Sequence, residues 1–352
     1  MGLFSPLMLR GLRFRNRIFV SPMCQYSSTD SVANDWHLVH LGGRAVGGAA
    51  LVIAEATAVV PAGRITPGDL GIWNSAQAAG FRRITGFIAQ HGAIPGIQLA
   101  HAGRRGSIAE PWNGGGPLAP DSRGWTTLAP SPIPFAPGYP IPKEMTRADI
   151  EATVSQYGDA ATRSLDAGFQ VVELHMAHGS LLHQFLSPLS NNRTDDFGGT
   201  LENRVRLPLM LAREIRAIWP AAWPVFVRIS FTDWVDGGWD GEQSVFLAKR
   251  LKEIGIDFID CSSGGLAYNA KVKAEPGFQV PFAETIRREA QIATGAVGLI
   301  TEPRQAEEII SGGRADAVLL GRQMLRDPYW PLHAAKALGV DIQWPPQYER
   351  AK

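Results

Sequence analysis

The sequence predicts an α/β fold, a (β/α)8 TIM barrel with a long capping loop after the third strand. Eight short runs rich in β-branched and aliphatic residues recur along the 352-residue chain, and amphipathic patterns separate them. Polar or glycine residues follow nearly every run. A chain of this length is long for one ordinary domain but typical of such a barrel. We therefore expect a single domain over residues 1–352.

The predicted strands are almost continuously apolar, as strands buried on both faces should be. They cover residues 17–21, 50–56, 94–100, 170–175, 225–230, 257–263, 296–301 and 317–321. The predicted helices cover residues 34–47, 76–91, 147–167, 200–218, 242–254, 279–293, 303–311 and 329–338. Two helices carry clear start signals. Thr146 precedes Asp149 by three residues, as in a capping pattern, and Pro303 stands in the first turn of another helix.

An open doubly wound sheet is the competing fold. It requires a glycine-rich phosphate turn after the first strand, and SPMCQYS at 21–27 is not one. The one GxGxxG/A match, GGGPLA at 114–119, contains a proline and opens no helix. Residues 103–145 are rich in Gly and Pro and too long for an ordinary connection, so we predict a lid over the barrel mouth. Residues 345–352 are predicted to form a C-terminal tail.

Composition excludes several classes of function. The chain has 34 basic and 33 acidic side chains, a balance that does not suggest a nucleic-acid-binding surface. The two cysteines, Cys24 and Cys261, cannot form a disulfide framework or ligate a four-iron cluster, which takes about four. No 18-residue apolar run or signal peptide is evident, so we predict a cytoplasmic protein without membrane contact.

The polar residues that end the predicted strands should meet on one rim. In a barrel enzyme the chemistry lies at the carboxyl ends of the strands. In strand order these residues are Ser21, Pro22, Met23, Cys24 and Tyr26; Glu55, Ala56 and Thr57; Gln98 and His101; His175 and His178; Arg228; Cys261 to Gly265; Gly298; and Gly321 with Arg322.

Two groups on this rim suggest a bound ligand. The loops after strands seven and eight often hold phosphate in such barrels, and Gly298, Gly321 and Arg322 fit that chemistry. An ordinary strand–helix turn with a surface arginine is the alternative. Arg228 and Gln98 could address the edge of a polar heterocycle, or they could form a structural ion-pair network; the residues alone favour neither.

The stretch VELHMAHGSLLHQFLSP (171–187) holds three histidines. A His-x-x-His pair can ligate zinc, but a zinc site needs three or four ligands, and no HExxH motif occurs. We therefore predict no metal. His183 lies in a helical pattern and is expected to be packed. His175 and His178 are instead predicted to donate hydrogen bonds to a carbonyl oxygen and to stabilise the oxyanion that forms there.

Taken together, these motifs resemble the old yellow enzyme family. The resemblance rests on SPMCQYS (21–27), TPGDLGIW (66–73), IQLAHAGR (97–104), ELHMAHGSLLHQFLSPLSNNRTDDFGG (173–199), GLIT (298–301) and LLGRQMLRDP (319–328). It runs nearly end to end. Cys24 and the ending PQYER (346–350) are similar to its thermophilic-like subclass. Members of the family are (β/α)8 barrels with non-covalent FMN that reduce activated alkenes with NADPH.

The resemblance implies a role for individual residues. Residues implied to bind FMN are Ser21, Pro22, Met23, Cys24, Ala56, Gln98, Arg228, Gly298, Gly321 and Arg322. Tyr26, His175 and His178 would hold the substrate oxygen, and Cys24 would modulate the redox potential of the flavin. Arg350 would reach the site of a neighbouring subunit, which implies a homodimer or a dimer of dimers. NADPH and the alkene, a small molecule, would use the same face of the flavin in turn.

One position departs from the family pattern. Members usually read His-x-x-His-Gly-Tyr, and that tyrosine protonates Cα; here the position is Ser180. A serine hydroxyl is shorter and is a weaker acid than a phenol of pKa about 10.

The function that the resemblance implies is an FMN-dependent ene-reductase. Its alternatives are a flavoprotein with impaired protonation, acting mainly as an NADPH oxidase or isomerase or on nitro compounds, and a non-enzymatic flavin-binding protein.

Two other barrel classes fit the residues less well. A Schiff-base aldolase needs a lysine on a strand end, and none of the eight predicted strands carries one. The related dienoyl-CoA reductases carry an iron–sulfur cluster and more cysteines than the two found here.

Overall fold

The structure, a computed structural model, describes residues 1–119, 121 and 123–352. Eight parallel strands form a closed barrel in the order β6-β7-β8-β1-β2-β3-β4-β5. The strands are β1 (Ile18–Val20), β2 (Leu51–Ala58), β3 (Ile94–Ala100), β4 (Val171–Met176), β5 (Val225–Ser230), β6 (Phe258–Ser262), β7 (Ala293–Ala296) and β8 (Ala317–Leu320). The predicted TIM barrel is therefore confirmed.

The helices surround the barrel. They are α1 (Asp35–Val46), α2 (Ser75–Gln90), α3 (Arg147–Asp166), α4 (Leu181–Leu186), α5 (Leu201–Arg204), α6 (Arg206–Ile218), α7 (Gly241–Ile254), α8 (Val280–Ala290), α9 (Pro303–Ser311), α10 (Arg322–Arg326) and α11 (Trp330–Leu338). Thr146 and Asp149 form the predicted capping box at the start of α3, and Pro303 begins α9. No helix among the described residues is long and apolar enough to cross a membrane.

The position of the seventh strand was predicted wrongly. The apolar run at 296–301 pointed to a strand there, but β7 covers Ala293–Ala296 and the run forms most of the following loop. The misleading feature is Gly295. A Cβ at this position would lie 2.1 Å from Leu319 Cδ1, because side chains of neighbouring strands fill the space. The strand is therefore built from small residues, which carry little hydrophobic signal.

Alternation along the strands creates layers inside the barrel. Successive side chains of a strand point to opposite faces, so every second residue faces inward. The lowest layer is apolar: the rings of Phe226 and Phe258 stack with centroids 4.4 Å apart, and Phe19 packs beside both. A hairpin of Leu7–Leu9 and Leu12–Phe14 contributes to the same cluster. Two positions after Phe226 and Phe258, Arg228 and Asp260 therefore lie in the next layer, and Ser230 and Ser262 follow two positions later.

The segment after β3 is not an ordinary connection. It contains single 3-10 turns at Gly103–Arg105 and Pro111–Asn113 and a pair of two-residue parallel strands, Leu128–Ala129 and Lys143–Glu144. The predicted lid covered 103–145, and its residues 120 and 122 lie outside the described residues. At the end of the chain, Pro346–Ala351 forms a 3-10 turn.

Candidate active site

The carboxyl ends of the strands surround a cavity of about 440 Å³. Nearly all of the residues predicted for the site line it: Ser21, Pro22, Met23, Cys24, Tyr26, Ala56, Gln98, His175, His178, Ser180, Arg228, Gly321 and Arg322. They come from β1, β2, β3, β4, β5 and β8 and from the loops that follow these strands. A volume of this size is typical of a small-molecule or cofactor site.

The floor of the cavity is a buried charged layer. Arg228 Nε lies 3.0 Å from Asp260 Oδ2, and Gln98 Nε2 donates to Glu173 Oε1 at 2.8 Å. Arg228 is aligned with His175 on one neighbouring strand and with Asp260 on the other. The layer therefore contains two carboxyl groups but a single guanidinium to balance them.

This imbalance of charge determines how Glu173 and Asp260 are protonated. Burial raises the pKa of Glu173, and the nearby Asp260 raises it further, whereas Arg228 opposes the shift. Burial also raises the pKa of Asp260. Because two anions beside one cation in a dry layer are costly, the pair retains a proton well above the ordinary carboxyl range.

The two histidines of the site are neutral. Burial lowers the pKa of His175 and His178 well below its usual value, and the positive charge of Arg228 adds to the effect. The two rings meet edge to face with centroids 5.3 Å apart. His175 Nδ1 is buried and has no hydrogen-bond partner in the described part of the chain. A neutral imidazole carries one N–H, so His178 can donate from Nδ1 when the Ser262 hydroxyl donates to its Nε2.

Hydrogen bonds fix His178 in an unusual backbone conformation, with φ of 56°. Its backbone N–H donates to Ser230 Oγ at 2.9 Å, and its Nε2 lies 2.6 Å from Ser262 Oγ. Arg105 Nη1 donates to its carbonyl oxygen at 2.5 Å. A strained residue persists only where its surroundings hold it, so the orientation of this imidazole is imposed before any ligand arrives.

Ser180 and His183, on the same stretch, have separate roles. The Ser180 hydroxyl is buried and donates to the carbonyl oxygen of His175 at 2.9 Å. Its only proton is thus engaged with the backbone. His183 is fully buried in α4, where its Nε2 lies 2.9 Å from Asp233 Oδ1, as expected for a packed histidine.

Cys24 and Tyr26 form the wall above β1. Burial, with the carboxyl groups of Glu55 and Asp69, raises the pKa of the Cys24 thiol well above its usual value. Burial likewise raises the pKa of the Tyr26 phenol. Both groups are therefore protonated at neutral pH. A thiol of this kind is a poor nucleophile, because the thiolate is the reactive form.

Two of the three residues predicted to bind the phosphate line the cavity. Gly321 and Arg322 line it, and a Cβ at Gly321 would meet Met23 Sδ at 3.7 Å, which leaves room for a close approach. Gly298 lies in the loop after β7 with φ of 109°, beside Phe278 and Gln279. This backbone conformation favours glycine.

Arg350 lies in the exposed turn at the C-terminus. The preceding segment, 342–347, lines a groove together with Arg15, Asn16 and Gly92. These three residues lie at the amino-terminal end of the barrel, opposite the active-site cavity. Tyr348 packs against Tyr329 with ring centroids 5.8 Å apart. The tail thus runs away from the cavity of its own chain.

Comparison with known proteins decides the family. The model of the NADH:flavin oxidoreductase / NADH oxidase family matches residues 2–340. The chain belongs to this family. NADPH dehydrogenases from Geobacillus thermodenitrificans and Bacillus subtilis are 49% and 45% identical to it over 350 residues, which is 99% of this chain and 98% of each relative. The predicted old yellow enzyme family is confirmed.

Solved structures agree with this assignment. Morphinone reductase superposes with a TM-score of 0.81 at 27% identity, over 98% of this chain and 92% of that one. An old yellow enzyme homologue from Zymomonas mobilis superposes with a TM-score of 0.81 over 99% and 98% of the two chains; at 24% identity this supports the fold alone. The protein is an FMN-dependent oxidoreductase with a nicotinamide hydride donor.

The cavity fits the FMN of this family. Gln98 and Arg228 present an amide and a guanidinium from its floor, which suits the polar edge of an isoalloxazine. Arg322 also lines the cavity and would supply a cation for the phosphate, and none of the ion pairs in the described ranges involves it. No group of three or more metal-ligating side chains occurs within those ranges.

Sequence reasoning assigned no role to four groups at this cavity. Glu173 and Asp260 complete the charged floor, Ser262 orients His178, and Arg105 lines the cavity. Two of them had a signal in the sequence: Glu173 and Asp260 are acidic residues inside otherwise apolar strands, where a charge needs a partner. Ser262 was placed on the rim by its position at a strand end, but nothing indicated its role, and Arg105 had no signal because arginines are common after strands.

Replacing Glu173 by glutamine should make the holoenzyme relatively more stable as pH rises. In the wild type, Glu173 binds a proton more tightly when folded than when unfolded, so its contribution to stability is lost as pH rises from the ordinary carboxyl pKa toward the raised one. The loss is up to about 1.4 kcal/mol per pH unit in that window. Glutamine keeps the acceptor for Gln98 and does not titrate. Melting temperatures from pH 5 to 9, with exposed Glu253→Gln as control, should diverge with pH; a constant offset would contradict this.

Replacing Cys24 by alanine should leave a folded, yellow enzyme. The thiol is protonated and lies against the cavity, so we expect it to adjust the redox potential and ligand affinity rather than to form a bond with substrate. Turnover should change by less than about tenfold. The midpoint potential and steady-state kinetics of the variant test this role. Complete loss of turnover with full FMN content would show that Cys24 is essential to the chemistry.

Proposed function

We propose that this protein is an NADPH-dependent ene-reductase. Its substrates would be α,β-unsaturated carbonyl or nitro compounds, bound in turn with NADPH at one cavity in a ping-pong mechanism. The observation that carries this proposal is the pair His175 and His178: two neutral imidazoles, the second held in place by Ser262, on the wall of a cavity whose floor suits a flavin. The 49% identity to an NADPH dehydrogenase supports the choice of donor.

Each part of the cavity has one task. FMN, held by residues such as Gln98, Arg228 and Arg322, would supply the hydride-transfer chemistry between the nicotinamide and the β-carbon of the alkene. Arg228 offers positive charge at the floor, where reduction of the cofactor adds negative charge. His175 and His178 donate to the activating oxygen of the substrate and so stabilise the negative charge that gathers there. Because both imidazoles are neutral before binding, they act as donors and lose no proton.

Protonation of the α-carbon is the weak step in this site. The Ser180 hydroxyl is short and donates to His175 O, so it is not aimed at a substrate carbon. Tyr26 lines the cavity and carries a protonated phenol, which makes it the candidate replacement besides water. Substrates that form stabilised anions, such as nitroalkenes and maleimides, should therefore suffer least from the missing tyrosine.

A second candidate function follows from the same residue. With protonation impaired, reduced enzyme would turn over mainly with dioxygen, as an NADPH oxidase. An anaerobic product assay separates the two functions. Purified enzyme with NADPH should convert cyclohexenone, maleimides and nitroalkenes to saturated products, whereas NADPH consumption that occurs only in air supports the oxidase.

We also propose that the active form is a homodimer or dimer of dimers in which Arg350 acts in the neighbouring site. The tail lies beside the opposite end of its own barrel, which leaves the guanidinium of Arg350 available to a second subunit.

The free cysteines, Cys24 and Cys261, fit a reducing compartment, the cytoplasm.

Deleting residues 347–352 should weaken substrate binding, with KM for cyclohexenone rising about tenfold, the loss of one charge-assisted contact. FMN content should not change. Arg350→Gln should reproduce most of the effect, and Lys352→Gln, its matched control, should not. A protein that is monomeric in solution and has an unchanged KM after deletion would refute a shared site.

A further inference from the structure

A second cleft opens beside the active-site cavity, and the two share Tyr26. The cleft has a volume of about 520 Å³ and is formed by the loops after β1, β2 and β3. Arg64 and Trp112 lie on its walls. The Trp112 ring is largely exposed and stands 6.1 Å, centroid to centroid, from the ring of Tyr26. A ligand whose reactive end occupies the active-site cavity can therefore extend past Tyr26 into this cleft.

Arg64 is held rigidly in the cleft. Its Nε donates to the carbonyl oxygen of Pro61 at 2.9 Å. Its guanidinium carbon lies 4.8 Å from the ring centroid of Trp125 and 5.8 Å from that of Trp73. Such stacking fixes the plane of the guanidinium, so binding an anion would cost it little conformational freedom.

The charge of Arg64 has no carboxylate partner of its own. None of the ion pairs found in residues 1–119, 121 and 123–352 involves it. The nearest acidic influence is Asp69, whose carboxylate already accepts from the backbone N–H groups of Ile65 and Thr66 at 2.7 and 3.0 Å. Glu110 also lines the cleft, and its carboxylate accepts from Asn113. A preoriented, unpaired guanidinium matches the geometry of a phosphate.

We propose that this cleft binds a phosphate of the nicotinamide donor and that Arg64 is its anchor. The inference rests on the proposed function, because it assigns the nicotinamide to the active-site cavity. Two phosphates of the donor are candidates: the diphosphate, which NADPH and NADH share, and the 2′-phosphate, which only NADPH carries. The exposed face of Trp112 offers a surface on which the adenosine of the donor could stack.

The test compares the two half-reactions of the holoenzyme. Arg64→Gln should raise the Kd for NADPH, measured from the anaerobic rate of flavin bleaching, by about tenfold or more, the value of one charge-assisted contact. The limiting bleaching rate and the reoxidation by cyclohexenone should not change. Arg64→Lys should restore part of the affinity. Arg83→Gln, an exposed arginine on α2, serves as the matched control.

NADH distinguishes the two phosphates. If Arg64 binds the 2′-phosphate, the Kd for NADH stays constant; if it binds the diphosphate, both donors weaken alike. Inorganic pyrophosphate should compete with NADPH in the wild type and lose this effect in Arg64→Gln. Unchanged affinity for both donors, or a loss of FMN and of both half-reactions together, would overturn the proposal. Failure of wild-type enzyme to be bleached by either donor would instead refute the proposed function.

Discussion

Replacing His178 by alanine should slow the reoxidation of reduced enzyme by cyclohexenone about 10²–10³-fold. This is the usual loss when one preorganised donor to a developing oxyanion is removed. The imidazole is neutral, and Ser230 and Ser262 fix its position before substrate arrives, so no other group can take over its geometry. His175→Ala should have a similar effect, because its neutral imidazole lines the same cavity.

Stopped-flow absorbance under anaerobic conditions measures this effect. FMN content and the flavin spectrum should be retained in both variants, since the floor of the cavity is formed by other residues. The exposed His333→Ala is the control, because its ring pairs with Asp327 on the surface. Reoxidation rates within threefold of the wild type in both variants would mean that the histidines do not bind the substrate oxygen.

Installing a tyrosine at Ser180 should have the second-largest effect, in the opposite direction. A phenol at this position would supply the proton that the serine, bonded to His175 O, does not supply. General acid catalysis contributes about 10²–10⁴-fold, so cyclohexenone turnover should rise by at least tenfold where protonation limits it. The backbone of Ser180, with φ of −62° and ψ of 168°, accepts a larger side chain without strain.

Ser180→Phe is the matched control for this substitution, since it adds the ring without the hydroxyl. The tyrosine variant should raise the enone rate and reduce its solvent isotope effect, whereas the phenylalanine variant should do neither. Nitroalkene reduction should change little in both. If tyrosine and phenylalanine give the same rates, position 180 does not govern protonation, and another donor such as Tyr26 is already in place.

The sequence was sufficient to predict the barrel and most of the site, for a physical reason. The position of a residue at the end of a strand determines where it lies on the rim and whether it faces into the barrel. Arg228, Gln98 and His175 could therefore be placed near one another from the sequence alone. The seventh strand could not be predicted in this way, because the side chain of Leu319 from the next strand fills the space beside Gly295. Strand prediction from apolar runs cannot detect a strand whose volume is filled by its neighbours.

The charged floor shows the other limit. Glu173 was visible in the ELH motif, yet its role depends on Asp260, which lies 87 positions away in sequence and faces the same layer. A balance of two carboxyl groups and one guanidinium is a property of three strands together. Orientation of His178 by Ser262 and Arg105 similarly needs side-chain geometry that no single motif carries.

The most direct test of the account follows both half-reactions in one sample. Under anaerobic conditions, one equivalent of NADPH should bleach the flavin absorbance of the purified yellow protein. One equivalent of cyclohexenone should then restore the colour and yield one equivalent of cyclohexanone. A flavin that stays oxidised with NADPH, or that recovers its colour only when air is admitted, would contradict an ene-reductase in which donor and alkene share one cavity.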